Sequence, residues 1–398
     1  MEYVKLKDIT TKITKGTTPS NIGASFTDEG INYFRSEMLG KAKYLDKSSG
    51  MMFISESTHN KLKRSQIEAD DILFSMAGIY LGKLAIVKDE DVPANTNQAV
   101  ALIRFNKGVN IDYLYYFMVQ KSFNAYVNCM SAQAAQPNIN LKQIGNLQIA
   151  LPTDEHQKRI ADILSNYDNL IENNNKRIKL LEQMAENLYK EWFVRFRFPG
   201  YEDIEFEDKK PRSWKVGTEE KKHLTPSIFK YDEFKNTGSF LRGKNITAAK
   251  MVEGDIPVIS AGVQPSGYHN EANVFGESLT ISASGANAGY LQYHLQDIWA
   301  ADCSCYQDDA IIWYVYNTLK FLQPVISNLQ CGAAQPHVYP KNINKLCVLI
   351  PTEELIYKYN DFVKPYYDEI KILNQRNQLL TKQRDMLLPR LMSGRLEV

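Results

Sequence analysis

Two stretches of the chain place an apolar residue every three and four positions for about five heptads, the period of a coiled coil rather than of an ordinary surface helix. The first seam runs Ile160, Leu164, Tyr167, Ile171, Asn174, Ile178, Leu181, Ala185, Leu188, Trp192. The second runs Ile356, Tyr359, Val363, Tyr366, Ile370, Leu373, Asn377, Leu380, Arg384, Leu387, Leu391. Thr153 and Thr352 are suitable N-caps, and the Asp154-Glu155 and Glu353-Glu354 pairs that follow suit a helix N-terminus. Asn174 and Asn377 interrupt the seams, where a polar residue sets register. Each helix of about forty residues is about 60 Å long at 1.5 Å per residue.

The two seams are copies. A shift of 199 maps Ala134-Ala135-Gln136-Pro137 onto Ala333-Ala334-Gln335-Pro336, Ile144 onto Ile343, Pro152-Thr153 onto Pro351-Thr352 and Leu180-Leu181 onto Leu379-Leu380. Upstream a shift of 207 maps Ser75, Gly78 and Gly82 onto Ser282, Gly285 and Gly289, and Ala94-Asn95 onto Ala301-Asp302. The change of shift implies loop insertions, which surface loops tolerate.

Between the seams, short runs such as Ile72–Gly78, Lys83–Val87 and Leu279–Gly285 read as strands and turns, while Asn110–Val127 and Ala310–Leu329 read as short helices. The expected fold is α+β: two mixed α/β, strand-rich domains joined by two long helices. These form an intramolecular antiparallel coiled coil with a pseudo-two-fold internal repeat; the alternative is a coiled coil that dimerises two chains. The boundaries are a first domain at 1–152, a helix at 153–198, a linker at 199–212, a second domain at 213–351 and a helix at 352–398. The alternating Phe193-Val194-Arg195-Phe196-Arg197-Phe198 either docks on a partner or packs on the start of the second domain.

At 398 residues, with 44% hydrophobic and 23% charged residues, the composition is that of globular domains. No signal-peptide core or bilayer-length apolar run occurs, so a cytoplasmic protein without a membrane role is expected. Five cysteines lack framework or zinc spacing and read as reduced thiols. Neither an Asp/Asn-Pro-Pro-Tyr methyltransferase motif, a Walker loop, His-Glu-x-x-His nor Gly-x-Ser-x-Gly is found; His294 and His337 stand alone. The chain reads as a non-enzyme with no catalytic residue, metal or cofactor of its own.

Net charge is only +1. Residues 1–150 hold 17 Lys+Arg against 14 Asp+Glu, and residues 211–350 hold 12 against 12, so any DNA affinity must come from local patches or from partners. Arg and Lys suit guanine, Asn suits adenine, and any of them can hold a phosphate. The candidates are Lys12, Lys15, Thr17, Thr18, Arg35, Lys41 and Lys43; then Lys61, Lys63 and Arg64; and in the second half Arg242, Lys244 and Asn245. Lys83 and Asn287, beside the Gly78–Gly82 and Gly285–Gly289 turns, join them: such turns either approach a phosphate or merely connect strands. Gln136 and Gln335, identical in both copies, read as structural.

Together these features resemble the specificity subunit of type I restriction-modification systems. The resemblance is carried by the two Ala-Ala-Gln-Pro turns, the Pro-Thr helix entries, the heptad helices and the segment Glu191–Gly200. It implies that 1–152 and 213–351 are target-recognition domains, each reading one half of a bipartite double-stranded DNA site, with the coiled coil setting an unread spacer. It further implies two methyltransferase subunits docked through the seam residues, joined by translocating restriction subunits. S-adenosylmethionine, and ATP with magnesium, would reside in those partners, and the target adenine would be extruded into the partner's pocket. The competing readings are a stand-alone tandem DNA-binding regulator and a scaffold with no DNA role.

Overall fold

The computed structural model describes residues 2–40, 42–131, 138–208, 224–330 and 336–397. The chain divides into two compact units, Met1–Asn173 with Arg376–Val398, and Asn174–Gln375. Each unit therefore takes part of both long helices along with its strands.

In the first unit the strands are β1 (Glu2–Lys5), β2 (Thr10–Lys15), β3 (Ile31–Phe34), β4 (Met52–Ile54), β5 (Gln66–Ile67), β6 (Ile72–Ser75), β7 (Leu84–Ile86), β8 (Ala94–Thr96), β9 (Val100–Phe105) and β10 (Gln148–Leu151). One sheet has the order β2-β9-β6-β7, a second β4-β3-β8-β5 with β3 and β8 parallel, and β1 pairs with β10. Every residue of β6 is buried because both faces of its sheet are covered. Ile72 and Phe74 join the core made with the helices, while Leu73 joins Phe34 of the other sheet and Met38 and Leu39 in the turn that follows it. The helices are α1 (Glu56–Lys61), α2 (Ile111–Met118), α3 (Lys121–Ser131), α4 (Leu141–Gly145) and, up to Asn173, the first part of the long α5 (Asp154–Tyr189). Asn110 caps α2 through the Tyr113 amide, and the helix expected over 110–127 is broken into α2 and α3.

The second unit holds β11 (Phe206–Asp208), β12 (Leu224–Pro226), β13 (Lys230–Glu233), β14 (Leu241–Arg242), β15 (Ile256–Ile259), β16 (Gly267–His269), β17 (Ser278–Ser282), β18 (Leu291–His294), β19 (Trp299–Ala300), β20 (Cys303–Tyr306) and β21 (Cys347–Ile350). The order β14-β20-β17-β18, the parallel β15/β19 pair and the β13/β21 pair repeat those of the first unit. Helices α6 (Ile312–Phe321), α7 (Gln323–Ser327) and α8 (Pro340–Asn344) precede the long α9 (Glu353–Met392).

The repeat extends to single hydrogen bonds. Gly82 N donates to Ser75 O at 3.0 Å and Gly289 N to Ser282 O at 2.8 Å; Ile139 N reaches Met76 O and Val338 N reaches Ala283 O, both at 3.0 Å. These pairs carry the shifts of 207 and 199 together. One match of the sequence fails. Thr17 N donates to Thr96 O and Lys244 N to Ala300 O, so Thr96 corresponds to Ala300, and Ala94-Asn95 do not correspond to Ala301-Asp302. A length difference between these strands moves the frame there, and two small or polar residues are too little pattern to show it. The Ala-Ala-Gln-Pro turns, with Gln136 and Gln335, lie outside the described residues apart from Pro336.

The long helices run antiparallel within each unit. In the first, Arg384 Nη1 donates to Asp168 Oδ1, and Leu391 and Met392 pack with Ile160, Ala161 and Leu164. In the second, Arg177 reaches Glu369 at 2.9 Å and Tyr359 OH donates to Ala185 O at 2.8 Å. The helix-to-domain contacts differ in chemistry. Asp168 also accepts from Tyr116 OH. Its repeat equivalent Tyr367 instead stacks on Trp313, ring centroids 3.6 Å apart. Phe193 and Phe198 are buried and Phe196 packs on Phe229, whereas Arg195 and Arg197 turn out to Glu191. The alternating segment therefore packs on the start of the second unit's core.

Candidate nucleic-acid interface

In the first unit the pairings Lys15↔Ala101, Ser75↔Val100 and Phe74↔Leu84 bring the end of β2, the start of β9, the end of β6 and the start of β7 to one end of the sheet. Lys15–Thr18, Gln98, the Gly78–Tyr80 turn and Lys83 thus share an edge. The parallel strands β3 and β8 end beside it, because Thr17 N bonds Thr96 O at 3.0 Å. Gly16 makes that approach possible: a Cβ there would lie 1.9 Å from Thr96 O.

Side chains from distant parts of the chain meet on this edge. Arg64 Nη2 donates to Thr17 Oγ1 at 2.9 Å, Thr18 Oγ1 to Gln98 Oε1, and Tyr33 OH to Thr17 O at 3.2 Å. Burial pushes the Tyr33 phenol up to about 12, so it stays a neutral donor. Lys15 is exposed, Lys83 sits with Nζ 4.9 Å from the Tyr80 ring centroid, and Arg35 pairs with Glu37 at 3.0 Å. Lys61 and Lys63 are exposed next to Arg64. Lys12 lies further back on β2, opposite Arg104. Lys41 falls outside the described residues.

Lys43 is a correction. It is buried, at 3% exposure, with Nζ 2.8 Å from Asp112 and 2.9 Å from Ser165 Oγ. Its cationic head holds α5 against the domain and has no path to a nucleic acid; a lysine's sequence neighbours say nothing of a partner 122 residues away.

The second unit builds the same edge. Gly243 N donates to Cys303 O and Lys244 N to Ala300 O, both at 2.9 Å, just as Gly16 N and Thr17 N bond Val100 O and Thr96 O. Lys15-Gly16-Thr17-Thr18 and Arg242-Gly243-Lys244-Asn245 are therefore equivalent, a match hidden in the sequence because only the glycine is shared. Arg242 pairs with Asp302, Lys244 Nζ lies 5.8 Å from the Trp299 ring centroid, and Asn245 and Asn287 are exposed. Sequence reasoning missed Gln98, Asp302 and Ser284; their only signal is a position just beyond a strand end.

The seam residues are turned inward. Ile160, Leu164, Trp192, Ile356, Val363, Ile370, Leu373 and Leu391 are buried. Tyr167, Ile171, Ile178, Leu181, Leu188, Tyr366, Leu380 and Leu387 are half-buried. The apolar residues that α5 and α9 expose are others, among them Leu180 at 59% and its repeat equivalent Leu379 at 61%. Among the described residues, no cluster of His, Cys, Asp and Glu could hold a metal ion, and no helix is long and apolar enough to cross a membrane. Burial raises the Cys303 thiol to about 12.

The family model described as the type I restriction modification DNA specificity domain matches residues 1–183 and 229–382. The chain is 26% identical over 416 residues to the type I restriction enzyme MjaIX specificity subunit of Methanocaldococcus jannaschii, covering 99% of this chain and 93% of that one. It is 24% identical over 425 residues to the putative MjaX specificity subunit of the same organism, covering 100% and 94%. The fold is similar to the crystal structure of a type I restriction-modification S subunit from M. genitalium, with a TM-score of 0.56 and 17% identity over 98% of this chain and 95% of that one.

Proposed function

The chain belongs to the type I restriction-modification DNA specificity family, and from that premise we propose that each of its two units reads one half of a bipartite DNA site for a modification complex. One observation carries this reading: a single loop-and-edge frame is built twice on identical hydrogen bonds and presents different polar side chains each time. A bipartite reader needs a constant frame with divergent faces; a stand-alone regulator is not favoured by the family. The chain contributes specificity and no chemistry. S-adenosylmethionine, and ATP with magnesium, belong to methyltransferase and restriction subunits, working on DNA in the cytoplasm.

Leu180 and Met184 lie one turn apart on α5, and Leu379 and Met386 two turns apart on α9, all of them exposed; apolar groups clustered along a helix face suit cover by a methyltransferase subunit on each helix. The paired heptads set the spacer. To test this reading, the chain is co-expressed with the methyltransferase of its own locus and methylated adenines are mapped. A bipartite motif is expected, and exchanging residues 1–150 changes one half of it alone. Inserting a heptad into both helices lengthens the gap. Absence of any motif dependent on this chain refutes the function; an unchanged gap refutes the spacer role.

A further inference from the structure

We propose that Arg242 reads a guanine in the half-site of the second unit and that Asp302, held by Ser284, is the positioning residue that aims it. The assignment rests on the DNA-reading function above and goes to one residue and one base. Arg242 ends β14 on the candidate edge, its backbone fixed by the Arg242↔Ser304 pairing and by the Gly243 N to Cys303 O bond at 2.9 Å. Gly243 lets the strand end lie directly on the 300–301 backbone, where a Cβ would come within 2.5 Å of Ala301 O.

Asp302 divides its two oxygens: Oδ1 accepts from Arg242 Nη2 and Oδ2 from Ser284 Oγ. Its carbonyl is also held, accepting from Ala283 N at 3.2 Å. The arginine is 40% exposed and the aspartate 25%. A pair this open adds little stability, so its effect is on direction. One nitrogen of the guanidinium is committed, and the rest of its planar fork is left for a second acceptor.

The choice of a base over a phosphate follows from charge. Beside Asp302 the arginine forms a neutral pair, which binds a phosphate poorly because the carboxylate repels it. Guanine O6 and N7 are uncharged acceptors that match the fork bidentately. The first unit makes the contrast. There the position of Arg242 holds Lys15, without an ion partner among the described residues. The position of Asp302 holds Ala99, whose carbonyl takes the Met76 amide at 2.8 Å as that of Asp302 takes Ala283. A lone lysine is suited to a phosphate; a clamped arginine is suited to a base.

The experiment uses the full chain assembled with its methyltransferase partner and a library of random double-stranded DNA, selecting sites bound by the wild type, R242A, R242K, D302N and S284A. R242A and R242K should each relax one G·C position of the second half-site by about 5- to 100-fold and leave the first half-site unchanged, which also reports intact folding. R242K should keep its salt dependence, since lysine retains the charge. D302N and S284A should relax the same position by smaller factors. Uniform weakening with no base relaxed in R242A overturns the guanine assignment; an unaltered preference in D302N overturns the positioning role. If the wild type itself selects no bipartite site, the proposed function falls first, and that outcome is separable from both.

Discussion

Replacing Asp168 by alanine should destabilise the first unit by about 2–4 kcal/mol. Asp168 is buried at 9% exposure and accepts from Arg384 on one oxygen and Tyr116 OH on the other. Removing one partner of a buried ion pair typically costs about 3–5 kcal/mol. Here the Arg384 side chain is 23% exposed and keeps Asp385 at 2.8 Å, which offsets part of that loss. The Tyr116 hydroxyl, left with only Ser165 Oγ at 3.5 Å, adds up to about 1 kcal/mol. Urea unfolding of the full chain gives the total, and hydrogen exchange locates it in α2 and the facing ends of α5 and α9. A double-mutant cycle with R384M should return a coupling of about 1–3 kcal/mol. A loss below about 1 kcal/mol, or strict additivity with R384M, would show that the two helices and the domain are not joined through this carboxylate. The second unit has Tyr367 at the equivalent place, so Y367D should not recreate the effect; its measured loss should come from the Trp313 stack.

K43M should lower stability while leaving the salt dependence of DNA binding unchanged, whereas K15A should leave stability alone and reduce the slope of log K against log salt by about 1; salt titrations of both variants check this. G16A and G243A should each cost about 1–3 kcal/mol, since a methyl group 1.9 or 2.5 Å from a backbone oxygen forces the loop off the strand. Each should blur one half of the methylated motif and spare the other. Burial lowers His294 from its usual 6.5 to about 4, so its neutral form belongs to the folded state. Stability of the second unit should be full above about pH 6.5 and fall toward pH 4, by at most about 3 kcal/mol. H294Q should flatten that slope in unfolding curves measured across the range.

Periodicity is local, and whatever depends on it was legible in the residues. Heptads at 160–192 and 356–391, the Gly78 and Gly285 turns and the strands at 72–75 and 278–282 follow from the spacing of apolar and turn residues. The repeat also showed wherever apolar and glycine positions carry it. It was lost between Lys15-Gly16-Thr17 and Arg242-Gly243-Lys244, because the shared property is a backbone approach that needs one glycine and leaves the other side chains free. Which cations stay exposed at a sheet end was decided only by folding. Lys15 and Lys43 look alike along the chain, yet one lies at a sheet end and the other is enclosed by Asp112 and Ser165. Gln98 reaches Thr18 across 80 residues and Arg242 reaches Asp302 across 60. Contacts over such separations are set by strand register and packing, to which no local pattern of residues points.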